Sequence, residues 1–211
     1  MDESRKAELM AHYMPQVASV CDKAREMVTT LADNDVGDRA IMPRMVAGFL
    51  THDGQQSFAV YGIALPFNSD EEKLLAAISL GRSLSAASSS GSVCVAIAML
   101  TEAWTAIAKP GEQYVRPADH PDRKEVVVVQ SLALGSELGR MSSRDISRDA
   151  AGAIRFSGDW QHAEGCKMYL LQKVFAAFAA FRLGNLDHLP DVKLDGIREH
   201  RIADDGVSTG V

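Results

Sequence analysis

The chain has 211 residues, 46% of them hydrophobic and 24% charged, and 22 basic side chains against 28 acidic ones leave a formal charge of −6. Such a composition marks a soluble globular protein, long enough to bury a core without disulfide or metal staples, and its acidity argues against a nucleic-acid coat or a binder of anionic membranes. Apolar runs of about eight residues fall far short of the roughly 20 that a membrane span needs, and three scattered cysteines, Cys21, Cys94 and Cys166, fit reduced thiols in a cytoplasmic protein rather than a disulfide framework or a zinc ribbon.

From residue 2 to 32, Leu9, Tyr13, Val17, Val20, Ala24, Met27 and Leu31 recur at helical spacing and predict a helix with one apolar face. Pro15 removes a helical hydrogen bond, so a kink or a division into two helices is expected there. After a turn-rich break at Asp33 to Asp38, Met45 to Leu50 and Phe58 to Ile63 flank His52-Asp53-Gly54-Gln55, a hairpin signal of the tight type I′ kind. Ser69 with Glu72 three residues later is a capping box that starts a second helix, with Leu74, Leu75, Ile78 and Leu84 on its buried side and a serine-rich loop from Ser83 to Ser92 after it. Val93 to Leu100 then alternates with a period of two and is apolar on both faces: Val93, Val95, Ile97 and Met99 point one way, Cys94, Ala96, Ala98 and Leu100 the other.

A loop rich in proline and charge, Lys109 to Asp122, leads to a second interior strand at Val126 to Val129. Gly135 to Gly139 turns the chain into a polar strand near Arg140 to Arg148, and Asp149 to Gly152 turns it again toward Ile154 and Phe156, the two together reading as a sheet edge. Ala163 to Leu183 reads as a last helix, apolar nearly all round and therefore buried, and Gly184 stops it. The sum is one α+β domain over residues 1–184, a largely antiparallel sheet of about five strands with flanking helices in the order α-β-β-α-β-β-β-α. Residues 185–211 form a C-terminal extension whose last ten residues read as a mobile tail.

No phosphate loop, strand-linked GxGxxG, HExxH or GxSxG elbow is present. The densest chemistry is Thr101-Glu102-Ala103-Trp104 followed by His120-Pro121-Asp122-Arg123-Lys124-Glu125. Glu102 continues an apolar strand, so its carboxylate needs a partner, and His120, Arg123 and Lys124 are the candidates. If the two strands pair antiparallel, Glu102 comes close to Arg123 and Glu125. Glu102, His120, Asp122 and Glu125 are then candidate acid–base or metal residues with Arg123 steadying an anion, although an ion pair that fixes the loop is the plainer reading. No metal or other cofactor is expected. Arg140, Arg144 and Arg148, with Arg155, make a basic strip suited either to an anion or to guarding an edge strand. Cys166 and His162 lie four residues apart and suggest a nucleophile pair, against the plainer reading of inert packing.

The pattern from Glu102-Ala103-Trp104 to His120-Pro121-Asp122-Arg123-Lys124-Glu125, within residues 93–134, resembles a group of uncharacterised bacterial and phage-associated proteins. That resemblance implies a bacterial or phage setting and no activity. The order of elements is also similar to roadblock-like and profilin-like sheets, which implies dimerisation. The leading expectation is a cytoplasmic protein that acts by association, as a homodimer or with a protein partner, through Phe175, Phe178 and Phe181 of the last helix or through an exposed sheet edge. The alternative is a small hydrolase or nuclease-like enzyme built on Glu102, His120, Asp122 and Glu125. Neither a membrane nor a nucleic acid is an expected partner.

Overall fold

Cys94 to Leu100 is apolar at every position and buried at every position, which only a strand covered on both faces allows. In a computed structural model, which describes residues 3–63, 69–88, 91–106, 119–184 and 186, with the backbone alone for 3–13, this strand is the centre of a sheet. The elements are α1 (Glu3–Asn34), β1 (Arg44–Thr51), β2 (Gln56–Gly62), α2 (Asp70–Ala87), β3 (Ser92–Thr105), β4 (Lys124–Ala133), β5 (Leu138–Arg148), β6 (Ile154–Lys167) and α3 (Tyr169–Leu183). The six strands are antiparallel in the order β2-β1-β3-β4-β5-β6. The expected α+β class holds, with six strands in place of about five.

One face of the sheet is covered by α1, whose Val17 and Val20 are buried against Leu50, Val95 and Ala96 and whose Ala24, Val28 and Ala32 are buried against Val46, Ala98, Leu100, Val127 and Val129. The helix runs from Glu3 to Asn34 with Pro15 inside it, so the chain does not divide into two helices there, and its row of contacts with the sheet begins at Val17, just past the missing hydrogen bond. The other face carries α2 and α3, packed on each other and on Met45, Ala47, Phe49, Ile97, Met99 and Leu132. Gly81 makes that packing possible: a Cβ there would lie 2.6 Å from the Ala177 Cβ and 2.6 Å from the Phe178 amide nitrogen.

The capping box forms as expected, with the Glu72 N–H donating to Ser69 Oγ and the Ser69 N–H to Glu72 Oε2, each at 3.1 Å. Beyond it α2 departs from the expectation. Ala76, Ala77, Ile78, Leu80, Gly81 and Leu84 form its buried side, while Leu75 is exposed. The helix continues through Ser83 to Ala87, because Leu84 is fully buried, and Ser83 satisfies its hydroxyl by donating to the Ser79 carbonyl at 3.0 Å.

Three further differences concern the strands. The β1–β2 turn is wider than type I′, spanning His52 to Gln55 with Gly54 at φ 83° and Thr51 N–H donating to the Gln55 carbonyl. A bulge opposite Gly48 and Phe49 leaves Val95 outside the β1–β3 pairing, so Cys94 joins the Ile97 face and Val95 packs with Ala96 on the α1 face, against the strict alternation. Ala163 to Lys167 belong to β6 rather than to the last helix, since they pair with Leu138 to Met141. β5 is thereby interior, and β6 alone is the edge on that side. The expected C-terminal extension beyond residue 186 and its mobile tail, with most of the loop from Lys109 to Asp122, lie outside the described residues.

Candidate functional site

Glu102 extends β3 past its buried stretch, and its half-buried carboxylate finds two donors. The Ile41 N–H donates to Oε1 at 2.7 Å, and Arg148 Nη2 approaches the same oxygen at 3.4 Å. The neighbouring strand brings Glu125 to the same guanidinium, where it accepts from Arg148 Nε at 2.9 Å and from Nη2. Arg148 also donates to the Arg39 carbonyl, so one cation gathers β3, β4, β5 and the segment leading into β1. Hydrogen bonding to Glu125 holds the Arg148 guanidinium above its ordinary range, so the cation persists at any working pH.

The expected partners of Glu102 go elsewhere. Arg123 lies over the Trp104 ring, 4.8 Å from its centroid. His120 is buried, its Nδ1 accepting the Asp122 N–H at 3.1 Å while its carbonyl accepts the Arg123 N–H at 3.2 Å. That is a side chain fastening the turn into β4. Among the described residues, no group of three or more histidine, cysteine or acidic side chains is placed to hold a metal ion. Glu102 and Glu125 therefore converge, as the strand pairing demands, on a cation that ties them into the fold.

The basic strip is also spoken for. Arg140 pairs with Asp22 of α1 at 2.6 Å and with Glu164 at 3.2 Å. Arg144 reaches Asp33 of α1 at 3.6 Å, donates to the Gly158 carbonyl at 2.8 Å and lies over Phe156. Arg155 pairs with Asp149 at 3.5 Å. Eleven residues of helix span about 16 Å and four of strand about 13 Å, so Asp22 and Asp33 match Arg140 and Arg144 along one seam. The strip fastens α1 to the sheet.

His162 and Cys166 lie on β6, not at a helix entry. His162 Nδ1 is 2.8 Å from Ser142 Oγ, whereas half-buried Cys166 packs against the core on the α2–α3 side. Each is engaged with a different neighbour. Burial pushes the Cys94 thiol up to about 12 and raises that of Cys21 as well, which disfavours the reactive thiolate at both. Phe175 and Phe178, expected at an interface, are buried in the protein's own core, where their rings meet edge to face, and Phe181 is half-buried.

The feature that sequence reasoning did not single out is the other end of the sheet. Between α1 and edge strand β2 runs an apolar groove of about 530 Å³, lined by Lys23, Glu26, Met27, Leu31, Phe58 and Val60. Val60 is 51% exposed and Met27 36%, although both belong to hydrophobic patterns. The two edges are built differently. β6 carries Arg155, Asp159, Glu164 and Lys167, with bulges at Gly158 and Gly165, whose φ angles are 67° and 68°. Charges and bulges of this kind stop an edge from pairing with another strand. β2, Gln56-Ser57-Phe58-Ala59-Val60-Tyr61-Gly62, has no charge, no proline and no glycine of positive φ. The signal was present as an uncharged seven-residue strand in a chain that is 24% charged; its place at the edge was not.

Comparisons of the chain with protein-family models, with curated proteins and with solved structures find no match.

Proposed function

We propose that the protein works by association with another protein chain, as a homodimer, and that the β2 edge with its groove is the contact surface. The observation that carries this reading is the contrast between the edges: β6 has charges and bulges, while among the described residues β2 leaves backbone groups and an apolar groove open side by side. An open strand edge gains main-chain hydrogen bonds on pairing, and the adjoining apolar surface supplies the burial that makes pairing favourable in water. Glu102 and Glu125, two of the three carboxylates expected to do chemistry, are instead bound to Arg148, which gives them work in holding the fold. Three free cysteines, and the lack of any helix among the described residues long and apolar enough to cross a membrane, support the cytoplasmic setting that belongs to this reading.

Light scattering on the full chain across a wide concentration range tests it. Twice the chain mass, falling toward the monomer on dilution, is the expected result. A monomer at every concentration would remove the reading.

A further inference from the structure

Resting on that reading, we infer that the partner is a second copy of this chain, joined by antiparallel pairing of β2 with the partner's β2 about a two-fold axis at Ala59. The direction of the backbone groups comes from the register. Thr51 N–H donates to the Gln55 carbonyl and Ile63 N–H to the Pro43 carbonyl, each at 2.9 Å, and between them Phe49 faces Ser57, Ala47 faces Ala59 and Met45 faces Tyr61. Hydrogen-bonded and open pairs alternate along an antiparallel ladder, so Ser57, Ala59 and Tyr61 bond inward to β1. Gln56, Phe58, Val60 and Gly62 present their N–H and C=O groups outward.

These four positions are symmetric about Ala59. An antiparallel copy centred there sets Gln56 against the partner's Gly62 and Phe58 against the partner's Val60, and leaves no outward backbone group of β2 unmatched. Any other register leaves some of them open. Phe58 and Val60 also line the groove, so the same pairing that joins the backbones lays apolar side chains of the two copies along one face.

Charge selects a second copy over a foreign strand. β2 brings no charge to the seam, and the α1 wall of the groove brings one cation and one anion, Lys23 and Glu26. α1 runs alongside β2 in the same direction, with Lys23 Nζ donating to Gln56 Oε1 at 2.9 Å at the start of the strand. The two-fold axis reverses the partner's helix across the groove, so the cation and the anion on the two α1 walls run in opposite order. The surface is complementary to itself.

Cross-linking of the full chain reads the register. Residues at an open antiparallel pair have Cα atoms about 4.5 Å apart, within the span a disulfide bridges. The variant Ala59→Cys, exposed to oxidised glutathione, is expected to give a reducible dimer as the main band on a denaturing gel. The variant Ser57→Cys, whose two copies lie about 13 Å apart along the strand in this register, and the parent chain are expected to stay monomeric there. Val60→Lys, measured beside them by light scattering, is expected to weaken the dimer about tenfold or more. A dimer by light scattering in which Ala59→Cys does not bridge, or Ser57→Cys bridges equally, would overturn this pairing and leave association standing. A parent chain monomeric at every concentration would overturn association itself, and the pairing with it.

Discussion

Arg148 ties together Arg39, Glu102 and Glu125, three parts of the chain far apart in sequence. Glu102 and Glu125 sit on paired strands with their carboxylates toward one guanidinium, and the three side chains keep only 18–30% of their surface in water. Replacing Arg148 with Met keeps the length of the side chain but leaves two carboxylates facing each other without a cation. The cost lies between that of an exposed ion pair, under about 1 kcal/mol, and that of a broken buried one, roughly 3–5 kcal/mol. We expect Arg148→Met to lose about 2 kcal/mol, a fall of about 4–8 °C in Tm. Arg148→Lys recovers only part of this, because an ammonium lacks the fork that holds both carboxylates. Glu102→Gln keeps an oxygen for the Ile41 N–H and costs less than about 1 kcal/mol. Thermal unfolding of the three variants checks the order, and Glu102→Gln more damaging than Arg148→Met would contradict it. The need of Glu102 for a partner was legible in the sequence, since a carboxylate at the end of an apolar strand cannot stay unpaired. Which partner it takes was not: Arg123 is nearer along the chain, yet Arg148, 46 residues from Glu102, arrives through two strand pairings.

At the scale of elements, α2 and α3 meet through a glycine. Propensity alone says that Gly81→Ala should stabilise α2 by about 1 kcal/mol. The added methyl would stand 2.6 Å from the Ala177 Cβ and the Phe178 backbone, and neither can turn aside. Overpacking of this kind costs about 1–3 kcal/mol, so we expect Gly81→Ala to be less stable than the parent by about 1–2 kcal/mol in urea unfolding. A gain in stability would show that the helices are not so closely packed. The same contrast explains which elements the sequence revealed. The start of α2 is written locally in Ser69 and Glu72, and β3 in an unbroken apolar run, so both were readable. The run of α2 on to Ala87 depends on a pocket for Leu84, and the last residues of β6 on β5 lying beside them. A bulge at Val95 exists only relative to β1. These are decided by neighbours that no window of sequence contains.

Across the whole molecule, the charge that the composition reports as −6 is spent unevenly. Asp22 and Asp33 of α1 are matched to Arg140 and Arg144, which turns the basic strip into a fastening for the helix. β6 keeps its charges at one edge of the sheet, and β2, at the far end of the same sheet, has none. Association through an exposed edge was among the expectations from sequence; the strand order puts the charged, bulged late strand at one end of the sheet and the early, uncharged one at the other, and the proposed contact lies at the second. A strand paired on both sides differs from one paired on a single side in the protection of its outward amides. Amide hydrogen exchange of Phe58 and Val60, with inward-bonded Ala59 and Tyr61 as references in the same strand, therefore reads the central claim directly. Phe58 and Val60 are expected to slow toward the rates of Ala59 and Tyr61 as protein concentration rises through the dimer range. Exchange of Phe58 and Val60 at unprotected rates at every concentration would contradict pairing at this edge.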